Sequence, residues 1–70
     1  MFILQTIIFN KKYWDKNEII NFLSNNHFKY DLDEKDNTFR ARQTDPDENM
    51  SYMTKTKYIN GRPIEFVYMY

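Results

Sequence analysis

The sequence predicts a single two-layer α+β domain over residues 1–70: a mostly antiparallel sheet of four to five strands, with one short helix packed on one face. Three patterns lead to this prediction. An apolar run rich in β-branched residues opens the chain, a short segment with helix-capping residues follows, and alternating segments separated by turn residues make up the remainder. The predicted order of elements is β-α-β-β-β-β, and a chain of 70 residues has room for one small core.

The first strand and the start of the helix are predicted by composition and by spacing. Phe2–Phe9 is apolar on both faces and rich in β-branched and aromatic residues, which is typical of a strand in the middle of a sheet. Asp15 is followed three residues later by Glu18, which is the spacing of a capping box. Trp14 before the cap and Ile19 after it stand at the positions of a hydrophobic staple.

The helix itself is predicted to be short and amphipathic. Ile19, Phe22 and Leu23 recur at the i, i+3, i+4 spacing that puts apolar side chains on one helix face. Asn25-Asn26 is predicted to end the helix, because Asn tolerates the left-handed conformation that closes many helices.

Two further strands and two polar turns are predicted in the middle of the chain. The weaker strand includes Phe28 and Tyr30, and the stronger one is Thr38–Gln43, whose residues alternate between apolar and charged. Arg40 and Arg42 therefore share one face of that strand. The polar segments that follow these strands, residues 31–37 and 44–50, are predicted to be turns.

The last predicted element is a β-hairpin over Tyr52–Tyr70, with its turn at Asn60-Gly61. The loop can hold two residues, or three residues if Ile59 joins it. We favour three, with Gly61, the only Gly in the chain, in the left-handed position that follows a type I turn.

The length of this loop decides which side chains face each other across the hairpin. A two-residue loop places Lys55 opposite Phe66 and mixes charge with apolar residues on one face. The three-residue loop places Lys55 opposite Glu65, an opposite-charge pair that contributes roughly 0.2–1 kcal/mol. In this predicted register Lys55, Lys57 and Glu65 face water on the side away from the helix.

A basic sheet face is the first candidate for an interaction surface. Arg40 and Arg42 share a face, and if their strand pairs with Tyr52–Tyr58 that face continues through Lys55 and Lys57. Four cations in this arrangement are able to follow a phosphate backbone or to meet an acidic protein. A solvated surface whose charge is offset by nearby acidic residues is the third interpretation, and the formal net charge of zero favours it.

The aromatic end of the chain is the second candidate. Phe66, Tyr68 and Tyr70 belong to a strand that is either part of the core or an edge that pairs with a second copy of the chain. The aromatic residues (six Phe, six Tyr and one Trp) are many for so small an interior. This excess favours self-association or a protein partner.

Residues that carry chemistry in enzymes and metalloproteins are sparse. The chain has no Cys, one His and one Gly, and it contains no phosphate-binding glycine loop, no metalloprotease motif and no nucleophile elbow. His27 has no neighbouring nucleophile or ligand set, and the acidic segment at residues 31–36 lacks the spacing of a calcium-binding loop. We therefore predict no catalytic residue, no cofactor and no metal site.

Several short segments form a longer pattern through their order along the chain. They are Lys12-Tyr13-Trp14, Asn26-His27-Phe28-Lys29-Tyr30, Leu32-Asp33-Glu34, Asn37–Gln43 with Asp45-Pro46, and Thr54-Lys55-Thr56. The pattern resembles a small domain that recurs in tailed phages and in large DNA viruses of eukaryotes, most specifically in its Asp-Glu…Arg-x-Arg-Gln…Asp-Pro spacing. In that family Gly is usual where His27 stands, and an aromatic residue where Ala41 stands. The resemblance carries over no catalytic residue, and it implies a viral source.

These observations favour a non-enzymatic viral binding or structural module that acts through protein–protein contacts. The alternative is a nucleic-acid-binding module that uses the basic sheet face. We expect a protein partner or a homo-oligomer first and nucleic acid second, with no membrane and no small-molecule substrate. Because the N-terminal run lacks a basic segment and a cleavage site, we expect that the protein is not secreted. The resemblance implies a location inside the host cell, in the cytoplasm or a viral factory, or in the virion.

Overall fold

A computed structural model describes residues 1–70 and shows a five-stranded antiparallel sheet with one helix, which confirms the predicted fold class. The elements, in chain order, are β1 (Ile3–Asn10), α1 (Lys16–Asn25), β2 (Leu32–Glu34), β3 (Thr38–Arg42), β4 (Tyr52–Ile59) and β5 (Arg62–Met69). Across the sheet the strands follow the order β2-β3-β1-β5-β4, so β2 and β4 are its two edges.

The second strand lies later in the chain than predicted. The strand is Leu32–Glu34, and it pairs with β3 so that Leu32 lies opposite Ala41. Phe28, which was predicted to be in the strand, instead packs against the core after the helix, with its ring 6.4 Å from that of Phe66. The strand was not recognised because Leu32 is the only apolar residue in a charged segment.

The core lies between α1 and the three central strands. Its nine buried residues are Ile7, Phe9, Trp14, Ile19, Leu23, Phe39, Ala41, Ile64 and Phe66. Those on β3, β1 and β5 alternate along each strand, because successive side chains of a strand point to opposite faces. We call the face that carries α1 the helix side and the opposite face the open face.

The start of α1 is fixed by the predicted capping box. The Asp15 carboxylate accepts a hydrogen bond from the backbone N–H of Glu18 at 2.8 Å, and the Glu18 carboxylate accepts one from the backbone N–H of Asp15 at 3.3 Å. Trp14 before the cap and Ile19 after it are both buried in the core. The box therefore satisfies backbone donors at the helix start, while the flanking apolar residues hold that start against the sheet.

The end of α1 is closed by His27 rather than by an Asn. Asn26 caps the helix with a φ of -101°, and the left-handed residue is His27, with a φ of 62°. The backbone N–H of His27 donates to the carbonyl of Ser24 at 3.2 Å, and that of Phe28 donates to the carbonyl of Leu23 at 2.9 Å. These two bonds form a Schellman motif, in which Gly is the usual left-handed residue because a Cβ is strained there.

The hairpin turn contains two residues, and the predicted three-residue loop is wrong. Asn60 and Gly61 have φ values of 53° and 77°, the left-handed pair of a type I′ turn, and Ile59 lies opposite Arg62. A type I′ turn matches the right-handed twist of the two strands, and Asn-Gly adopts it readily. This preference outweighs the single opposite-charge pair on which the predicted register depended.

In the observed register, each β4 side chain lies on the face of the sheet opposite to the one predicted for it. Lys55 lies opposite Phe66 and Lys57 opposite Ile64, so both lysines are on the helix side, whereas Glu65 is on the open face. The predicted pair of Lys55 with Glu65 is therefore absent. No residue of β4 is buried, because the strand lies at the sheet edge, and the lysine charges remain in water.

Arg62, the first residue of β5, ties the hairpin to the start of the helix. Its guanidinium carbon lies 3.9 Å from the centre of the Trp14 ring, in a cation–π contact. Its Nη1 donates to the Glu18 carboxylate at 2.6 Å and to the Tyr13 carbonyl at 3.2 Å. The Trp14 indole N–H donates in turn to the Pro63 carbonyl at 2.9 Å. The turn end of the hairpin and the first turn of α1 are thus held together by four polar or cation–π contacts.

Replacing His27 with Gly should stabilise the fold. Gly reaches the left-handed region without the Cβ strain of an L residue, a gain of about 1 kcal/mol that would raise the melting temperature by roughly 4–8 °C. Asn26→Gly is the matched control, because the φ of Asn26 is negative and its side chain donates to the Phe22 carbonyl at 2.8 Å. Circular dichroism melting curves should show the first variant above wild type and the second below it. A His27→Gly variant that is no more stable than wild type would contradict this role.

Replacing Arg62 with Met should lower the melting temperature and flatten its dependence on acid pH. The hydrogen bond from Arg62 is the largest cause that holds the pKa of Glu18 below its ordinary value of 4.5. A carboxyl group whose pKa is lower in the folded than in the unfolded state stabilises the fold above the unfolded pKa, and this contribution is lost as the pH falls through the folded pKa. Below about pH 4.5 the wild-type melting temperature should therefore fall more steeply than that of the variant.

Arg42→Met is the matched control for this measurement. The Arg42 Nη1 lies 3.9 Å from the Asp45 carboxylate in an exposed pair, so its loss should change little. Melting curves recorded from about pH 3 to pH 7 compare the three proteins. Parallel pH dependence in wild type and Arg62→Met would mean that the contact with Glu18 does not contribute to stability.

Candidate functional site

The long edge of the sheet is β4, which pairs with β5 on one side and with no strand on the other. The backbones of Ser51 and Tyr70 exchange two hydrogen bonds, of 2.8 and 2.9 Å. In an antiparallel pair such bonded positions alternate with non-bonded ones. The N–H and C=O groups that point away from β5 are therefore those of Tyr52, Thr54, Thr56 and Tyr58. We call this row of unpaired backbone groups the β4 edge.

Two lysines flank the β4 edge on the helix side. Lys55 and Lys57 are exposed, and neither is within 4.0 Å of a carboxylate. The Lys57 ammonium lies 5.4 Å from the centre of the Phe66 ring, in a cation–π contact that leaves the residue exposed to water. The positive charge on this side of the edge is not neutralised within the protein.

On the open face the β4 edge presents Thr and Tyr side chains. Thr54 and Thr56 are exposed, and Tyr58 is 70% exposed. The Tyr52 hydroxyl is held by the Asp47 backbone, accepting from its N–H and donating to its carbonyl, each at 2.9 Å. β-Branched and aromatic residues of this kind favour cross-strand contacts with an added strand.

The opposite edge, β2, differs from β4 in length and in charge. It contains three residues against the eight of β4. The Lys11 ammonium donates to the Glu34 carboxylate at 2.7 Å, and this hydrogen bond lowers the pKa of Glu34. Lys35 and Asp33 form a second ion pair at 3.1 Å. The short edge therefore offers few backbone groups, and its charges are already paired.

The structure does not bring the four predicted cations onto one face. β1 and β5 lie between β3 and β4 in the sheet. Arg40 and Arg42 are on the open face, whereas Lys55 and Lys57 are on the helix side. The predicted common face required β3 and β4 to be neighbours, and it depended on the hairpin register that proved wrong.

The surroundings of the two arginines are mixed in charge. A depression of about 380 Å³ on the open face is lined by Gln5, Thr6, Asp31, Leu32, Asp33, Arg40 and Arg42. Arg40 lies opposite Asp33 on the neighbouring strand, and Arg42 is 3.9 Å from Asp45. The arginines therefore do not form the continuous positive surface that favours binding along a phosphate backbone.

Phe66, Tyr68 and Tyr70 do not form a sheet edge, so of the two predicted alternatives the structure shows the core strand. β5 lies between β1 and β4, so both of its sides are paired. Phe66 is buried in the core, Tyr68 packs against it, and Tyr70 alone is exposed, with its backbone bonded to Ser51. The last strand of the chain is central in the sheet because β1 and β4 both pair with it.

The helix side has an apolar area that α1 leaves uncovered. It consists of Phe2, Leu4, Met53, Tyr68 and Tyr70, and we call it the aromatic shelf. The Phe2 ring lies 6.5 Å from that of Tyr68 and 5.3 Å from that of Tyr70, and Tyr68 lies between Leu4 and Met53 on neighbouring strands. Phe2 is 61% exposed. The sequence did not reveal this shelf, because the predicted register put Met53 on the open face.

Potential metal ligands are not clustered in this structure. No group of three or more His, Cys, Asp or Glu residues is placed to hold a metal ion, and His27 is exposed. No helix has the length and apolar character needed to cross a membrane. Every buried side-chain nitrogen and oxygen has a hydrogen-bond partner. The longer of the two unpaired sheet edges, β4, therefore offers the longest row of backbone groups without a partner in the sheet.

Comparisons with protein families, with curated proteins and with solved structures found no match to this chain. The resemblance to the viral domain, and the viral source that it implies, remain predictions. The function must therefore be inferred from the β4 edge and the surfaces beside it.

Proposed function

We propose that the protein is a non-enzymatic binding module that acts through protein–protein contacts, in which β4 receives a strand from a partner. The observation that supports this most directly is the β4 edge, part of an eight-residue strand with one side unpaired. An extended segment that lies along such an edge gains main-chain hydrogen bonds over its length. The exposed Thr and Tyr residues on one side, and the aromatic shelf on the other, offer side-chain contacts in addition.

A second copy of the chain fits this edge poorly. Two antiparallel registers give the greatest overlap between β4 and the β4 strand of a second copy. One places Lys55 opposite Lys55 of the copy, and the other places Lys55 opposite Lys57 of the copy. Like charges directly opposite each other are unfavourable by roughly 0.2–1 kcal/mol per pair. Lysines on an edge strand are a common protection against such pairing. We therefore propose a different protein as the partner, in place of the homo-oligomer.

Nucleic acid is the weaker alternative. Cations that follow a phosphate backbone need to lie on one surface. Arg40 and Arg42 are on the face opposite to Lys55 and Lys57, with acidic residues around the arginines. These four residues therefore cannot contact one phosphate backbone from a single face of the sheet.

The setting of this binding follows from the sequence resemblance alone. A viral source would place the protein inside the host cell, in the cytoplasm or a viral factory, or in the virion. The partner would then be another viral protein, or a host protein met in that compartment.

Replacing Thr56 with Pro tests strand addition. The N–H of Thr56 points away from β5, so Pro preserves the β4–β5 hydrogen bonds and puts its ring where an added strand would lie. Thr56→Val is the matched control, because it keeps the N–H and the preference for a strand. Tagged forms of the wild type and both variants are used to capture proteins from cells that produce the chain, and quantitative mass spectrometry compares the bound fractions.

We expect at least one protein that wild type and Thr56→Val retain and that the Pro variant loses. Circular dichroism establishes that all three forms are folded. Equal capture by the Pro variant, or no protein retained above the tag alone, would overturn the proposal.

A further inference from the structure

We infer that the strand received by the β4 edge is acidic at alternate positions, with carboxylates that face Lys55 and Lys57. This inference rests on the proposed function and adds the chemistry of the partner. It follows from the unpaired charges at the edge, from the geometry of strand addition, and from the surfaces on either side.

The helix side of the β4 edge is positive and has no acidic residue of its own. β4 contains two lysines and no Asp or Glu. The β5 residues opposite these lysines are apolar, Phe66 facing Lys55 and Ile64 facing Lys57. All four ion pairs of the protein involve other residues. Carboxylates on an added strand would therefore meet two cations that have no acidic partner within the protein.

Strand addition would place the partner's carboxylates directly opposite Lys55 and Lys57, at the cross-strand positions where side chains are closest. An antiparallel partner would exchange hydrogen bonds with Thr54, Thr56 and Tyr58, because their backbone groups point outward. Lys55 and Lys57 would then occupy the non-hydrogen-bonded positions, where facing Cα atoms are about 4.5 Å apart and side chains are closest. Opposite charges are favourable at facing positions, and like charges are unfavourable.

The neighbouring surfaces define the rest of the partner strand. On the helix side, the position after the two carboxylates would face Met53 and the aromatic shelf, which favours an apolar side chain. On the open face, Thr54, Thr56 and Tyr58 favour β-branched side chains. The sequence of an antiparallel partner would therefore read, in chain order, β-branched, acidic, β-branched, acidic, β-branched, apolar.

Labelled peptides test this pattern directly. The acidic probe is Val-Glu-Thr-Glu-Val-Leu with blocked ends and a fluorescent label, and the neutral and basic probes replace both Glu residues with Gln or with Lys. Fluorescence anisotropy measures their binding to the wild type and to two charge-reversal variants. The variant Lys55→Glu with Lys57→Glu reverses the proposed contact. The variant Arg40→Glu with Arg42→Glu makes the same change in net charge on the open face and is the matched control.

We expect the wild type to bind the acidic probe most tightly and the basic probe least, with the acidic probe about tenfold tighter than the neutral one. Added salt should reduce this difference, because it screens exposed charges. The lysine variant should prefer the basic probe, and the arginine variant should keep the wild-type order. An unchanged order in the lysine variant, or a reversed order in the arginine variant, would overturn the inference.

Two N-methylated forms of the acidic probe separate this inference from the proposed function. Methylation at the Val and Thr positions removes the amide donors that would face β4, whereas methylation at the Glu positions changes amides that would point away. Strand addition is supported if the probe methylated at the Val and Thr positions loses binding while the probe methylated at the Glu positions keeps it. If that pattern holds but the acidic, neutral and basic probes bind equally, strand addition stands and the acidic preference is wrong. If both methylated forms bind like the parent, or no probe binds, both proposals fail.

Discussion

The two-residue turn at Asn60-Gly61 is the constraint on which the rest of the structure depends. Both residues adopt the left-handed conformation, and the turn therefore sets the register of β4 on β5 along its whole length. That register puts Lys55 and Lys57 on the helix side and directs the backbone groups of alternate residues toward the free edge. It also places Arg62 beside the turn, where its guanidinium reaches the start of the helix.

The single helix is too small to cover the whole sheet. Its ten residues span about 15 Å, and the buried sheet residues all lie on β3, β1 and β5. β4 is left in water on its helix side, and for this reason a register that mixes lysines with apolar residues is stable there. The same exposure makes the lysines and the aromatic shelf available to a partner.

The sequence predicted the features that depend on local patterns, namely the fold class, the capping box at Asp15 and the residue where the helix ends. It did not predict the strand order, because no single segment encodes the pairing of strands that are distant in the chain. The predicted hairpin register was wrong because the type I′ turn at Asn60-Gly61 matches the twist of the strands, and this preference outweighs one opposite-charge pair. The left-handed His27 was not predicted because Gly and Asn are the usual residues in that conformation, and the contact of Arg62 with Trp14 depends on tertiary packing. Of the predicted interaction residues, the two lysines on β4 remain in the candidate site, whereas the arginines and the β5 aromatics do not form the surfaces expected of them.

Amide hydrogen exchange along β4, followed by NMR, tests the central claim about this edge most directly. We expect slow exchange at the residues whose N–H groups bond to β5, and fast exchange at the residues between them. The protected residues should be Met53, Lys55, Lys57 and Ile59. A three-residue turn would reverse this alternation and protect Thr54 and Thr56 instead. Slow exchange at those two threonines in the isolated protein would contradict both the register and the free edge.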